Sequence, residues 1–240
     1  MKTKNVPFLL ILVTILFCSH PVFGVNEKLP GGEVTIKTSS AEYDEQSGTI
    51  RARGESTIQW KGVTMNCPFL EFDTVKQEAK SEGDIKITWE EKTVMAKSLL
   101  YIGKENQSRM DTVNGKGKDL YFQSKKMDFF FNTGKILLTG NPLLQLRGFQ
   151  LLSQQIEYSL DVKKWQASAV SIQKEGWKGK ADHALYQEGM DSIVLDGNAQ
   201  VEKEGNLMKG KQILVNLTTG QVKVEGNVEI NIMPGGGTKN

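Results

Sequence analysis

The chain is 240 residues long, with 38% hydrophobic and 24% charged residues and a formal net charge of +2. That is the composition of an ordinary soluble protein large enough to bury a substantial core, and a charge so close to zero excludes steering towards an anionic partner by net charge. With two cysteines, Cys18 and Cys67, the chain is not a disulfide scaffold, and its stability has to come from core burial and strand pairing.

Lys2 and Lys4 precede an almost wholly apolar run over residues 8–17, and Val22, Phe23 and Gly24 offer a cleavage site. This pattern predicts a cleaved secretory signal over residues 1–24, the run being too short to span a bilayer comfortably. An uncleaved inner-membrane anchor is the rival reading, while the bulky Phe17 directly before Cys18 argues against lipid attachment. Without the signal, 28 basic residues face 28 acidic ones and Cys67 is the single thiol, read as a small buried residue. Residues 25–32, with Pro30, Gly31 and Gly32, read as a flexible lead.

From residue 33 onwards one pattern recurs. A small residue, two variable ones, an apolar one, another variable one and then an aromatic or Val appear at 38–43, 67–72, 96–101, 124–129, 153–158, 181–186 and 210–215, with spacings of 29, 29, 28, 29, 28 and 29. A fixed period of this size is the signature of a stacked repeat. Thirteen residues before each marker from the second onwards lies a partner strand, around Gly54, Gly83, Asp111, Gly140, Ser168 and Gly197, with a last one at Gly226. Glycine inside a strand weakens it unless it marks a bend, a bulge or a close approach. The row therefore reads as a line along which the sheet curves, with a line left open for a ligand as the alternative. Around Asp111 the alternation is weak, suggesting a distorted or frayed strand or a joint between two halves. Around Ser168 the phase is divided between Ala167 with Ala169 and Val170 with Ile172, as a β-bulge would make it.

The best-preserved copy lies at the end. Ile193, Leu195, Gly197, Ala199 and Val201 alternate with polar residues, a looser strand follows at 207–217, and Val222, Val224, Gly226, Val228, Ile230 and Ile232 repeat the alternation. Because alternation fixes the face, Ile50, Ile58, Trp60, Ile85, Ile87, Trp89, Ile136, Leu138, Leu144 and Leu146 are expected to point inward. So are Ile193, Leu195, Val201, Val224, Val228 and Ile230, and from the second strands Leu70, Phe72, Leu99, Tyr101, Met127, Phe129, Ile156, Tyr158, Tyr186 and Ile213. The glycine-rich residues 233–240 read as a disordered tail.

Catalytic chemistry finds little support. Outside the signal the chain has one histidine, His183, at a variable position of a repeat and read as a surface side chain. One histidine and one cysteine cannot form a usual zinc cluster, and no acidic run has the spacing of a calcium loop. There is no nucleophile elbow, phosphate-binding Gly-Lys loop or dinucleotide fingerprint, so neither an enzyme nor a cofactor is expected. Lys116, Lys118, Lys125 and Lys126 lie near Tyr121 and Phe122, but export and a neutral mature chain speak against nucleic acid. A solvated face is the plain reading of that cluster, and a site for headgroup phosphates the functional one.

A signal peptide followed by such repeats resembles the OstA-like domain of the lipopolysaccharide-transport proteins, the LptA family. The residues that carry the resemblance are Ile50 to Gly54, Leu195 to Asn198, Val224 to Val228, and the copies at 96–101 and 153–158. It implies an elongated, open β-jellyroll of about 14–16 antiparallel strands in two sheets, built from the seven repeats and spanning residues 33–232. It also implies a periplasmic, non-enzymatic carrier of lipopolysaccharide between the inner and outer membranes, with acyl chains held between the sheets by Ile58, Trp60, Phe72, Ile85, Ile87 and Trp89, and by Tyr101, Phe129, Leu138, Leu144, Leu146 and Tyr158. The partners implied are an inner-membrane component of the LptC type, an outer-membrane component of the LptD type, and further copies joined end to end. Unpaired terminal strands are templates for such joining; here they carry Val34 and Ile36 at the start and Val222, Val224, Val228 and Ile230 at the end. The chain is long for a simple bridge subunit, which leaves open an LptC-type component or two fused modules. A structural or adhesive β-solenoid of the envelope, whose interior is only core, is the competing class.

Overall fold

The computed structural model of the protein describes residues 35–232 except 61, 62 and 90; the expected signal, lead and tail, and Val34 at the first edge, lie outside the described residues. The fold is all-β. Its strands are β1 (Thr35–Lys37), β2 (Ser40–Asp44), β3 (Thr49–Trp60), β4 (Val63–Asp73), β5 (Glu78–Trp89), β6 (Lys92–Ile102), β7 (Gln107–Lys116), β8 (Leu120–Phe130) and β9 (Lys135–Thr139). There follow β10 (Leu143–Leu146), β11 (Phe149–Leu152), β12 (Gln155–Ser159), β13 (Lys164–Lys174), β14 (Trp177–Gln187), β15 (Ser192–Lys203), β16 (Asn206–Asn216), β17 (Val222–Glu225) and β18 (Glu229–Asn231). One 3-10 turn, Gly103–Glu105, joins β6 to β7.

Two compact units divide the chain. Among the described residues, one comprises those within 35–118, 123–138 and 159–161, the other 119–122, 139–158 and 162–232. In the first, β1 and β2 both pair with β3, and antiparallel hairpins continue through β4, β5, β6 and β7. In the second, β10 pairs with β11, β11 with β13, and hairpins run through β14, β15 and β16 to β17 and β18, which share β16.

Within each unit antiparallel ladders run from hairpin to hairpin, and the long strands bury residues in both of their halves. The reason lies in the repeat marker. Cys67 and Leu70, Ala96 and Leu99, Ser124 and Met127, Ser153 and Ile156, and Ala181 and Ala184 are all buried. In a flat strand, residues three apart face opposite ways, so the chain turns a corner between the small residue and the apolar one. Opposite each corner lies the glycine row. The register shifts between Arg53 and Ser56, Glu82 and Ile85, and Asp196 and Ala199, around Gly54, Gly83 and Gly197, all with positive φ. The row is thus a line of β-bulges, and each long strand contributes two differently oriented halves. Four expected strands are interrupted at their corners, so 18 segments stand where about 14–16 were expected.

The alternative of an open line for a ligand fails. A Cβ on Gly54 would sit 2.9 Å from Ser39 Oγ, on Gly83 2.7 Å from Pro68 Cγ, on Gly197 2.7 Å from Asp182 Oδ2 and on Gly226 2.9 Å from Lys211 Cβ. In each case the side chain following the small marker residue fills the space. Two members of the row are not glycine: Thr112 and Ala169 take φ of 51° and 50°, one position beyond the expected Asp111 and Ser168. Strand β7 is not frayed: it pairs with β6 from Gln107 to Asp111 and again from Asn114 to Lys116, its irregularity is the bend at Thr112, and it buries Met110 and Val113 on either side of that corner. The divided phase around Ser168 has the same origin, with Ala167, Val170 and Ile172 all buried. Carbonyl groups released at corners find hydroxyl donors: Ser153 Oγ lies 2.6 Å from the Ser168 oxygen, and Ser81 Oγ 2.6 Å from that of Phe69.

Candidate functional site: the apolar interior and the last edge

In the first unit Ile58, Phe72, Ile85, Ile87, Tyr101 and Leu138 are buried, the least covered of them only 6% exposed. Each belongs to an alternating run on one side of a corner, which is why the pleat turns it inward. Strands β3 and β5 also carry Trp60 and Trp89, whose side chains lie outside the described residues. Phe129 departs from expectation. It is half-buried, while Phe131, beyond the end of β8, is 5% exposed. The strand ends at Phe130, and Phe131 takes the interior position, 4.4 Å from the Phe129 ring and edge-on to Tyr101 at 5.8 Å.

In the second unit Leu144, Leu146 and Tyr158 are buried as expected, together with Ile193, Leu195, Val201 and Ile213. The sequence reading missed Trp165, Phe149 and Leu151, which are buried with them. The Tyr158 ring stacks on Trp165 at 4.2 Å, and the Trp165 indole donates to Glu188 Oε1 at 3.2 Å. Burial, with the Glu188 carboxylate beside it, pushes the Tyr158 phenol well above its ordinary value. It therefore stays neutral, and this interior carries no phenolate charge.

The edge strands behave differently from the interior. Val228 and Ile230, also expected to point inward, are 51% and 55% exposed, and Ile232 is 73% exposed. Alternation assigned their face, but burial needs something packed on that face, and β18 pairs only with the first half of β16 in the described ladders. Val222 and Val224 on β17 are half-buried. At the other end, Ile36 lies on β1, its side chain outside the described residues, and Tyr43 on β2 is 57% exposed. The terminal copies thus leave apolar side chains uncovered where internal copies bury them.

Among the described residues no group of three or more His, Cys, Asp or Glu side chains could hold a metal ion. Cys67 is a free, buried thiol whose ionisation burial pushes up, so it is held in the unreactive thiol form. His183 is exposed on β14.

Residues 162–221, which hold β13 to β16, match the family described as LptA/(LptD N-terminal domain) LPS transport protein. Among solved structures, LptH, the LptA homologous periplasmic component of the lipopolysaccharide transport device of Pseudomonas aeruginosa, is 12% identical. It is aligned over 84% of this chain and 96% of its own, with a TM-score of 0.20. No curated protein matches the chain significantly. Residues 162–221 therefore carry the OstA-like pattern of the lipopolysaccharide-transport proteins.

Proposed function

We propose that the protein is a periplasmic lipopolysaccharide-binding transport protein, a segment of the bridge between inner and outer membranes, in which acyl chains lie among the inward side chains of the repeat. The observation that carries this reading is the cornered repeat itself, which lines both halves of successive strands with apolar residues, in a segment that matches a lipopolysaccharide-transport family. The residues proposed to meet acyl chains are those expected from alternation, with Phe131 and Trp165 added. No catalytic step is involved: the chain supplies an apolar path, and the driving energy comes from a partner.

In this structure those side chains pack on one another, so the ligand has to part them. That close packing favours a second reading, an envelope β-solenoid whose interior is only core. A photo-crosslinking residue at Leu144 or Ile87 separates the two: lipopolysaccharide adducts in cells are expected, and their absence at both positions removes the conduit. Purified protein should likewise carry co-purifying glycolipid.

End-to-end association is proposed through β17 and β18, where a second copy or an outer-membrane partner would continue the ladder. Ile230→Lys places a charge on an already exposed position, so the fold should survive. Light scattering should show concentration-dependent mass for the parent chain and the monomer for the variant; identical oligomers in both would reassign the edge.

A further inference from the structure

We propose that three successive hairpin turns of the second unit form a saccharide-binding site on the outside of the ladder. The turns are Arg147 with Gly148 between β10 and β11, Glu175 with Gly176 between β13 and β14, and Glu204 with Gly205 between β15 and β16. The repeat length brings them to the same end of their strands, and the Glu204 amide donates to the Gly176 carbonyl at 3.2 Å. Between them opens a cavity of about 510 Å³, within the size range of small-molecule sites.

Its lining selects among ligand classes. Trp177 is the one large apolar side chain there, so a lipid tail has no apolar walls to lie against. The carboxylates of Glu175, Glu202 and Glu204 are balanced by the ammonium groups of Lys174 and Lys178 in the lining and of Lys203 over the Trp177 ring, so no net positive charge selects a phosphate or other anion. What remains is a half-buried indole surrounded by donors and acceptors in both senses. Gln173 and Gln150 are already oriented by a 2.9 Å bond between their amides. That set suits a neutral polyhydroxyl ring, whose C–H face covers an aromatic surface while its hydroxyls both donate and accept. Lys203 Nζ lies over one face of the Trp177 ring, 4.8 Å from its centroid, and Phe149 stands nearly perpendicular to it at 6.2 Å, so the ring is held in place and the sugar would stack on the face that Lys203 leaves free. The ring also lines a 10 Å³ space walled by Ile172, Val201 and Val215, so the indole separates the polar cavity from the core.

The site does not depend on the acyl-chain reading. The sugar is either the headgroup of a glycolipid or a free glycan, and two probes distinguish them: the deacylated oligosaccharide released from lipopolysaccharide, and maltotetraose. Millimolar amounts of the correct probe should shift the Trp177 indole N–H resonance in the 15N spectrum of the full chain. A response to the first alone assigns a headgroup, and a response to maltotetraose, with or without the first, assigns a free glycan. Trp177→Phe and the exposed Gln173→Ala should each weaken binding about fivefold, equivalent to roughly 1 kcal/mol, the second without disturbing the core. No shift with either probe, or equal binding by parent chain and both variants, overturns the proposal. So does binding of intact lipopolysaccharide without either oligosaccharide, a result that leaves the acyl-chain reading standing.

Discussion

Leu195→Ala should lower the stability of the second unit by about 3 kcal/mol, within the roughly 2–5 kcal/mol range of buried leucine truncations. Leu195 is fully buried at the middle of β15, directly opposite Ala184 on β14 and Ile213 on β16, which are buried with it. Truncation removes most of the apolar burial of the side chain and leaves a void flanked by an alanine too small to fill it. Ala184 and Ile213 are both paired in register with Leu195, so the backbone there has little freedom to collapse inward. In urea unfolding followed by tryptophan fluorescence, the transition reported by Trp165 and Trp177 should move to lower denaturant, while the first unit changes little. A loss under about 1 kcal/mol would mean that the interior around Leu195 is already loose, as a pre-formed lipid groove would be. The variant therefore reads how much of the apolar interior is packed core.

The architecture was legible because the corner is written locally. A small residue and an apolar residue three positions later both need burial, and that spacing recurs wherever the strand bends. The same rule explains why Ala167, Val170 and Ile172 looked out of phase and are nevertheless all inside. What sequence could not weigh was the environment on the far side of a face. Val228 and Ile230 alternate as well as Ile193 and Leu195 do, yet the former pair is uncovered and the latter sealed, because burial depends on a neighbouring layer that the alternation does not encode. Phe129 and Phe131 are two residues apart and share one phase, so alternation could not tell which of them takes the interior position where β8 ends at Phe130. The turn-end cavity was hidden for a different reason. Each turn is an ordinary polar hairpin in the sequence, and only the equal spacing of the repeat brings Trp177, Gln150 and Glu202 around one space.

Gly83→Ala is expected to cost the first unit about 2–4 kcal/mol, far more than a methyl group at an exposed strand position ordinarily does. Gly83 has a φ of +105°, beyond the left-handed region that L residues can enter at roughly 1–3 kcal/mol. Its added Cβ would stand 2.7 Å from Pro68 Cγ, part of a rigid ring that cannot swing away. Pro68 is tolerated within β4 because the ladder to β5 is irregular between Asn66 and Glu71, where a missing N–H costs no cross-strand bond. Proline and glycine therefore form one corner between them, and neither is free to change alone. Ala169 provides the contrast: its φ of 50° lies within the range that side chains adopt, so Ala169→Gly should change stability by less than about 1 kcal/mol, relief of strain being offset by unfolded-state entropy. Urea midpoints of the two variants test the comparison directly. If Gly83→Ala were as mild as Ala169→Gly, the corner would bend without needing its glycine, and the row would owe its regularity to something other than backbone geometry.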